Sequence, residues 1–208
     1  MGRVSDAKER LMEAVAELFW TGSYDSTTID QICEKAAVKK GSFYYFFEDK
    51  AALAEAALES EWKKYRPNFD AIFSASIPPL ERIRQHCEFT LKEQAKLKGQ
   101  HGCVLGCPLC TLGTEVCTQE KRLQKKVQEI MAHALQYLET AIRDAHAAGL
   151  IHAPNPRAKA NVIHAYHLGL LTQARIQNDL GVLDDLTRVT FELLGTRVPK
   201  RPRQPVSA

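Results

Sequence analysis

The sequence predicts an all-α protein in which a small N-terminal helical unit precedes a larger helical bundle. Apolar residues recur at helical spacing along almost all of the 208 residues, β-branched alternation is scarce, and no segment repeats at a fixed period. With 45% hydrophobic residues the chain has apolar surface for one sizeable core, or for a small domain joined to a larger one. No apolar run approaches the roughly 18 residues a membrane span needs. The start, Met1-Gly2-Arg3-Val4-Ser5-Asp6, carries no apolar signal core, so the expected compartment is the cytoplasm and no membrane partner is expected.

The first helix is expected from about Asp6, with Glu9 as its capping pair, Leu11, Val15, Leu18 and Phe19 on one face, and Gly22 as its stop. Thr27 to Asp30 repeats the capping pattern and opens a short helix whose Ile29, Ile32, Cys33 and Ala36 point inward. After Ala37 and Val38, another short helix runs from about Lys40 to Phe46. Glu48-Asp49 then caps a long helix reaching about Arg66, and a break falls near Ser74 to Pro79. Helical spacing resumes from Leu80 to about Lys98, until Gly99, Gly102, Gly106 and Pro108 interrupt it. A long helix follows from about Gln119 to Ala148, stopped by Gly149, and two more fit about Pro156 to Leu180 and Leu183 to Leu194.

Two short helices joined by a tight turn and packed on a first helix form the helix-turn-helix plan, whose second helix enters the major groove of DNA. The run Lys39-Lys40-Gly41-Ser42-Phe43-Tyr44-Tyr45-Phe46-Phe47 puts cations and small groups first, where backbone N–H groups favour a phosphate and Gly41 and Ser42 permit close approach. Phe43 and Phe46, three apart, are expected to anchor this helix to Leu18, Ile32 and Leu53. Tyr44 and Tyr45 are then left outward, their hydroxyls suited to phosphate oxygens or a base edge, while Thr28 and Lys50 suit the flanking backbone. The competing reading, a bundle whose aromatic run is only core, leaves the Lys-Lys-Gly-Ser start and two projecting tyrosines unexplained. Bulk charge does not decide between them: the formal net charge is +3, and Met1 to Arg66 holds ten Lys/Arg against twelve Asp/Glu.

The stretch Ser26-Thr27-Thr28-Ile29-Asp30-Gln31-Ile32, then Ala36 to Phe47, then Asp49-Lys50, resembles the signature of the TetR family of bacterial transcriptional regulators over about 50 residues. The resemblance implies operator contacts from Lys39, Lys40, Gly41, Ser42, Tyr44 and Tyr45, with Thr28 and Lys50 on phosphates. It also implies a homodimer that pairs its last helices and sets two reading heads on a palindromic double-stranded DNA operator. Tyr45 stands where the family more often has His.

Six cysteines in a chain without an export signal are expected to be reduced, yet four of them crowd into Cys103 to Cys117. If Pro108 takes the first helical position, Cys107 is the N-cap, where unpaired N–H groups and the helix dipole lower a thiol's pKa. On a continuing helix Cys110 lies about 300° and Cys117 about 280° from Cys107, so a resolving thiol is available on the same face. Other readings stay open: inert buried thiols, a metal site from His101, Cys103, Cys107 and Cys110 that lacks a second well-spaced ligand pair, or a radical SAM spacing in a chain too short for it. The string from Gly106 to Cys117 resembles a TetR branch that includes an electrophile-responsive repressor of an N-ethylmaleimide reductase, with Cys107 and Cys117 at matching cysteines. Arg175 stands where that branch has Lys. Other relatives with a Gly-Cys motif here bind small organic acids.

His133 and Tyr137 are four apart and His164 and His167 three apart, which suits a polar pocket as well as satisfied core or surface groups. Phe89, His133, Tyr137, His167 and Gln173 are the effector-pocket candidates. The expected organisation is a DNA-binding domain over 1–48, an effector-binding and dimerisation domain over 49–197, and a mobile basic tail over 198–208. No cofactor and no catalysis is needed: an effector, electrophile or oxidant need only favour a spacing of the reading heads that no longer fits DNA. The alternatives are a small-molecule-responsive repressor with inert cysteines and a small thiol oxidoreductase using Cys107.

Overall fold

The computed structural model describes residues 2–116 and 118–199, with side chains described from Asp6 onward. Cys117 and the tail from Lys200 lie outside the described residues. Among the described residues the chain is all-α. Its helices are α1 (Gly2–Thr21), α2 (Ile29–Lys35), α3 (Lys40–Phe46), α4 (Lys50–Ile72), α5 (Pro79–His101), α6 (Pro108–Val116), α7 (Lys121–Ala147), α8 (Pro156–Gln177) and α9 (Leu186–Leu194), with a 3-10 turn at Leu180–Leu183. Two compact units form, one from Met1–Asn68 with Leu105–Ala134 and one from Phe69–Val104 with Leu135–Ala208.

In the first unit, Leu11, Val15 and Phe19 of α1 meet Ile32 of α2, Phe43 of α3 and Leu53 of α4 in one core, which Leu112 and Val116 of α6 and Leu123 of α7 complete. Burying a side chain such as Phe43 contributes roughly 1.5–3 kcal/mol. α1 begins at Gly2, upstream of the expected Asp6. Asp6 does not cap: its carboxylate pairs with Arg10 one turn on, at 3.4 Å. The cap of α2 is Thr28, whose hydroxyl accepts the Gln31 N–H at 3.2 Å while the Gln31 side chain accepts the Thr28 N–H at 2.8 Å. Thr27 instead donates its hydroxyl to Ser23 O at 2.6 Å.

The turn between α2 and α3 puts Ala37 at φ 51°, the left-handed region that glycine usually fills. Val38 N–H to Cys33 O at 2.9 Å and Arg10 Nη1 to Ala36 O at 3.1 Å hold it there. Asp49 caps α4 as expected, accepting Ala52 N–H at 2.7 Å. α4 continues through Pro67 to Ile72, beyond the expected end at Arg66. Phe69 and Phe73 explain the extension, because both pack on the His86 ring of α5, at 5.5 and 5.4 Å between centroids.

The second unit buries Ile83 of α5, Ala141, Ile142 and Ala145 of α7, Ala160 and Ile163 of α8, and Phe191 and Leu194 of α9. Arg82 is buried with its charge matched, Nε donating to Ile77 O at 2.7 Å and Nη1 meeting Asp144 at 2.5 Å. Gly149 ends α7 at φ 69°, as its sequence position predicts. α8 stops at Gln177 rather than Leu180, because Asn178 turns left-handed at φ 51° and Asp179 accepts Gly181 N–H at 2.9 Å to start the 3-10 turn. That turn delays α9 to Leu186.

Candidate functional site

α3 is short, and its inner face fixes it. Phe43 is fully buried, Phe46 is half-buried, and Phe47 just beyond the helix packs against the Phe43 ring at 6.1 Å. Because Phe43 points in, its chain neighbours point out: Tyr44 is 54% and Tyr45 77% exposed. Lys39, in extended conformation at φ −70° and ψ 144°, precedes the helix and is exposed, as are Lys40 and Gly41, while Ser42 is half-buried. Lys40 meets Asp30 of α2 at 2.7 Å, and this hydrogen bond keeps its ammonium pKa above the ordinary value. The pair is exposed on both sides, so it contributes little to folding. Thr28 is exposed at the start of α2.

Lys50 differs from the other cations. Its ammonium donates to Tyr24 O at 2.6 Å and Thr27 O at 3.0 Å and lies 4.1 Å from the Tyr24 ring centre. Burial lowers its pKa, with Asp25 and Glu115 acting against that. Phosphate contact was expected from Lys50, but the structure turns its charge inward, onto the carbonyls of the turn that precedes Thr28. From the other side Glu115 of α6 accepts the N–H groups of Tyr24 and Asp25, both at 2.9 Å. Partial burial works against ionisation of Glu115, yet those two N–H groups, the Ser23 hydroxyl and Lys50 hold its carboxyl below the usual range. Burial first, then the carboxylates of Glu120, Asp49, Asp25 and Glu115, push the Tyr24 phenol up to about 12.

α6 starts at Pro108, and the Cys107 carbonyl accepts Thr111 N–H at 3.1 Å, so Cys107 stands directly before the helix. Its thiol is lowered from the ordinary cysteine range, chiefly by a hydrogen bond from the Cys110 thiol, with burial opposing and the N–H groups of Cys110 and Leu109 assisting. The same contact, then burial, raises Cys110. Cys103, Cys107 and Cys110 are all half-buried and unbridged. Among the described residues no group of three or more His, Cys, Asp or Glu side chains is arranged for a metal ion. No described helix is long and apolar enough to cross a membrane.

The pocket candidates separate. Phe89, Tyr137 and His167 share one aromatic cluster of the second unit. Phe89 and Tyr137 meet Phe69, at 6.3 and 5.6 Å, and Tyr137 bonds Asp70 through its hydroxyl. His167 stacks on His86 at 5.6 Å and binds the Thr190 hydroxyl through Nε2 at 2.8 Å. Burial is the leading cause that lowers the pKa of His86, to about 4, and that of His167 and His164 as well. Nδ1 of His86 is buried without a hydrogen-bond partner among the described residues. His133 belongs to the first unit, exposed beside Trp62 at 5.9 Å, and Gln173 is exposed on α8. Arg175 is half-buried near the end of α8.

Two family profiles match this chain. One, described as bacterial regulatory proteins of the tetR family, covers residues 11–57; the other, a tetracyclin repressor-like C-terminal domain, covers residues 79–190. The chain belongs to the TetR family. Its relatives are transcriptional regulators: the HTH-type transcriptional repressor NemR of Escherichia coli K12 is 27% identical over 196 residues, covering 92% of this chain and 95% of NemR. An uncharacterized HTH-type regulator from the lacX 3' region of Lactococcus lactis subsp. lactis is 26% identical over 200 residues, covering 92% of this chain and 96% of its own length. The crystal structure of E. coli NemR in its reduced form superimposes with a TM-score of 0.80 at 22% identity, over 93% of this chain and 98% of that one, which establishes a shared fold. As a TetR regulator, this chain is a DNA-binding protein with a helix-turn-helix at α2–α3.

Three residues escaped sequence reasoning. His86 and Phe89 are three apart on α5, a spacing open to inspection, but the rings that make His86 notable come from α4 and α8. Phe69 lay past the expected end of its helix. Glu115 had no sequence signal, because its partners are backbone N–H groups about ninety positions away, at separations of 91 and 90.

Proposed function

We propose that this TetR regulator is a repressor that sits as a two-fold dimer on a palindromic operator and leaves it when a small effector binds or a cysteine is modified. The exposed face of α3 carries the proposal. Tyr44 and Tyr45 project while the phenylalanine between them and the core is fully buried. At Gly41 an added Cβ would meet nothing of the chain within 4 Å, so internal packing does not call for glycine there. A groove wall brought close to the backbone does.

In this reading Lys39 and Lys40 approach phosphates, Ser42, Tyr44 and Tyr45 reach base edges or the backbone, and Thr28 touches a flanking phosphate. Lys50 acts indirectly, by fixing the turn before Thr28. Repression is supported by relatives that carry that name, NemR and the DhaR repressor of Mycobacterium among them. A second copy would cover the outward face of α8, where Val162, Ala165, Gly169 and Ile176 are exposed at helical intervals. The aromatic cluster around His86 supports an effector site in the second unit, since a buried, unpartnered imidazole nitrogen is a group that a ligand can satisfy.

The test begins with duplexes selected from a random-sequence pool by the full chain. Lys40→Ala and Tyr44→Ala should each weaken binding to the selected duplex at least tenfold, in line with about 1–3 kcal/mol per contact, with unchanged melting temperature. Wild-type affinity in both variants would end the assignment of α3 as the reading helix. An operator complex released by a ligand in Cys107→Ser as readily as in the wild type would assign induction to the effector cluster alone.

A further inference from the structure

A helix-turn-helix reads DNA only while the turn between its helices keeps one angle, and here that turn is built on a residue that resists it. Ala36, Ala37 and Val38 join α2 to α3, and Ala37 stands at φ 51°. In that left-handed region a Cβ crowds the following carbonyl, a clash that glycine escapes. We propose that Arg10 is a positioning residue for the reading helix: its guanidinium clamps the carbonyls of this turn, keeps Ala37 left-handed, and so presets the angle at which α3 meets DNA. The last step rests on the function proposed above; the clamp itself does not.

The N–H groups of the turn are satisfied from within α2. Ala37 N–H donates to Glu34 O at 3.0 Å and Val38 N–H to Cys33 O at 2.9 Å, the pair of bonds that closes a helix on a left-handed residue. Arg10 takes the carbonyls. Its Nη1 donates to Ala36 O at 3.1 Å and lies 3.4 Å from Ala37 O, reaching across from α1. Ala36 C=O belongs to the peptide plane before the Ala37 Cα, and Ala37 C=O to the plane after it. The relative orientation of those planes is what φ and ψ of Ala37 describe, so one nitrogen seated between both oxygens fixes the strained residue directly.

The placement of Arg10 is itself built. Leu11 beside it is fully buried in the core that also holds Ile32, Ala36 and Phe43, which sets the rotation of α1. Asp6, one turn back, faces Nε of Arg10 at 3.4 Å, yet that nitrogen is buried with no hydrogen-bond partner among the described residues. Swinging outward would hydrate Nε at once. The guanidinium stays inside, where Nη1 holds the turn. Val38 packs on the same core and α3 starts at Lys40, so only Val38 and Lys39 separate the clamped residue from the helix that carries Tyr44 and Tyr45. All of these residues lie within the first unit.

The experiment compares full-length wild type, Arg10→Met, Ala37→Gly and the double variant by hydrogen exchange at the Val38 amide and by affinity for the selected duplex across a salt series. Arg10→Met should speed Val38 exchange and weaken duplex binding, each by a factor of about ten, as when about a tenth of the molecules keep the turn. Ala37→Gly should bind within about twofold of wild type, and the double variant within about threefold of Ala37→Gly, because glycine takes the left-handed angle without a clamp. A lost charge behaves otherwise. It lowers affinity equally with alanine or glycine at position 37 and flattens the salt dependence. Wild-type exchange and affinity in Arg10→Met overturn the clamp, and faster exchange with unchanged affinity overturns the positioning role. A loss of affinity that persists undiminished in the double variant overturns the proposal as well. Should Arg10→Met alone fail to fold, a folded, duplex-binding double variant supports the proposal and an unfolded one overturns it. If the wild type selects no duplex, the DNA reading fails, while Val38 exchange in the single and double variants still decides the clamp.

Discussion

The outer face of α3 and the histidine cluster of α5 and α8 treat polar groups in opposite ways. On α3 the phenols and ammonium groups stay in water and only the phenylalanines go inside. Around His86, imidazoles are buried beside aromatic rings and are neutral as a result. A surface of the first kind keeps its hydration until a partner replaces it, so its residues can change with little effect on folding. A cluster of the second kind is already desolvated, so the same chemical groups there are tied to stability and to pH.

The sharpest way to break this comparison is to attack the inner face of α3. Phe43→Ala removes a fully buried ring and should cost about 3–5 kcal/mol in urea unfolding, far more than any change on the outer face. A cost under about 1 kcal/mol would mean that α3 is not anchored through that ring.

Next in size is the acid response of the cluster. His86 sits at about 4 in the folded chain, against about 6.5 when unfolded. A histidine depressed in this way lends its full stability above the unfolded value. As pH falls below about 6.5 the unfolded chain takes up a proton that the folded chain refuses, and the contribution is lost progressively toward about 4. Between about pH 7 and about pH 4.5 His86 alone should account for about 2 kcal/mol of lost stability. His86→Phe should flatten the acid limb by that amount relative to wild type, leaving the share due to His164 and His167. Identical limbs in the two proteins would show that His86 titrates normally and that the cluster is open to water.

The same contrast explains what the sequence disclosed. The α3 pattern was legible because its signal is local: adjacent residues on opposite faces, phenylalanines three apart, and a capping residue at Asp49, whereas the cap of α2 falls on Thr28, one position after the Thr27 that opened the expected capping pattern. Helix class and most helix ends were legible for the same reason. Where ends moved, a tertiary or turn contact outweighed local preference, as Phe69 and Phe73 did for α4 and Asn178 for α8. Of the pocket candidates, His133 and Gln173 have the right residue type but fall outside the cluster, since residue type does not report which side of a helix meets which neighbour. His86, with partners on other helices, and Glu115, with backbone partners far along the chain, left no mark that a single sequence can show.

The smallest effect concerns Thr28, which serves both sides of the comparison. Its hydroxyl caps α2, and the same side chain is exposed, which is what the phosphate contact proposed for it requires. Thr28→Ala should cost about 1 kcal/mol of stability through the lost cap, and should weaken duplex binding as well. Thr28→Asp separates the two roles. Aspartate caps as well as threonine does, and its charge suits a helix N-terminus, so stability should hold or rise by a few tenths of a kcal/mol. The same charge repels DNA, so affinity for the selected duplex should fall, most steeply at low salt. Full duplex affinity in the aspartate variant at low salt would leave Thr28 as a cap alone, and would move the phosphate contacts to the lysines at the start of α3.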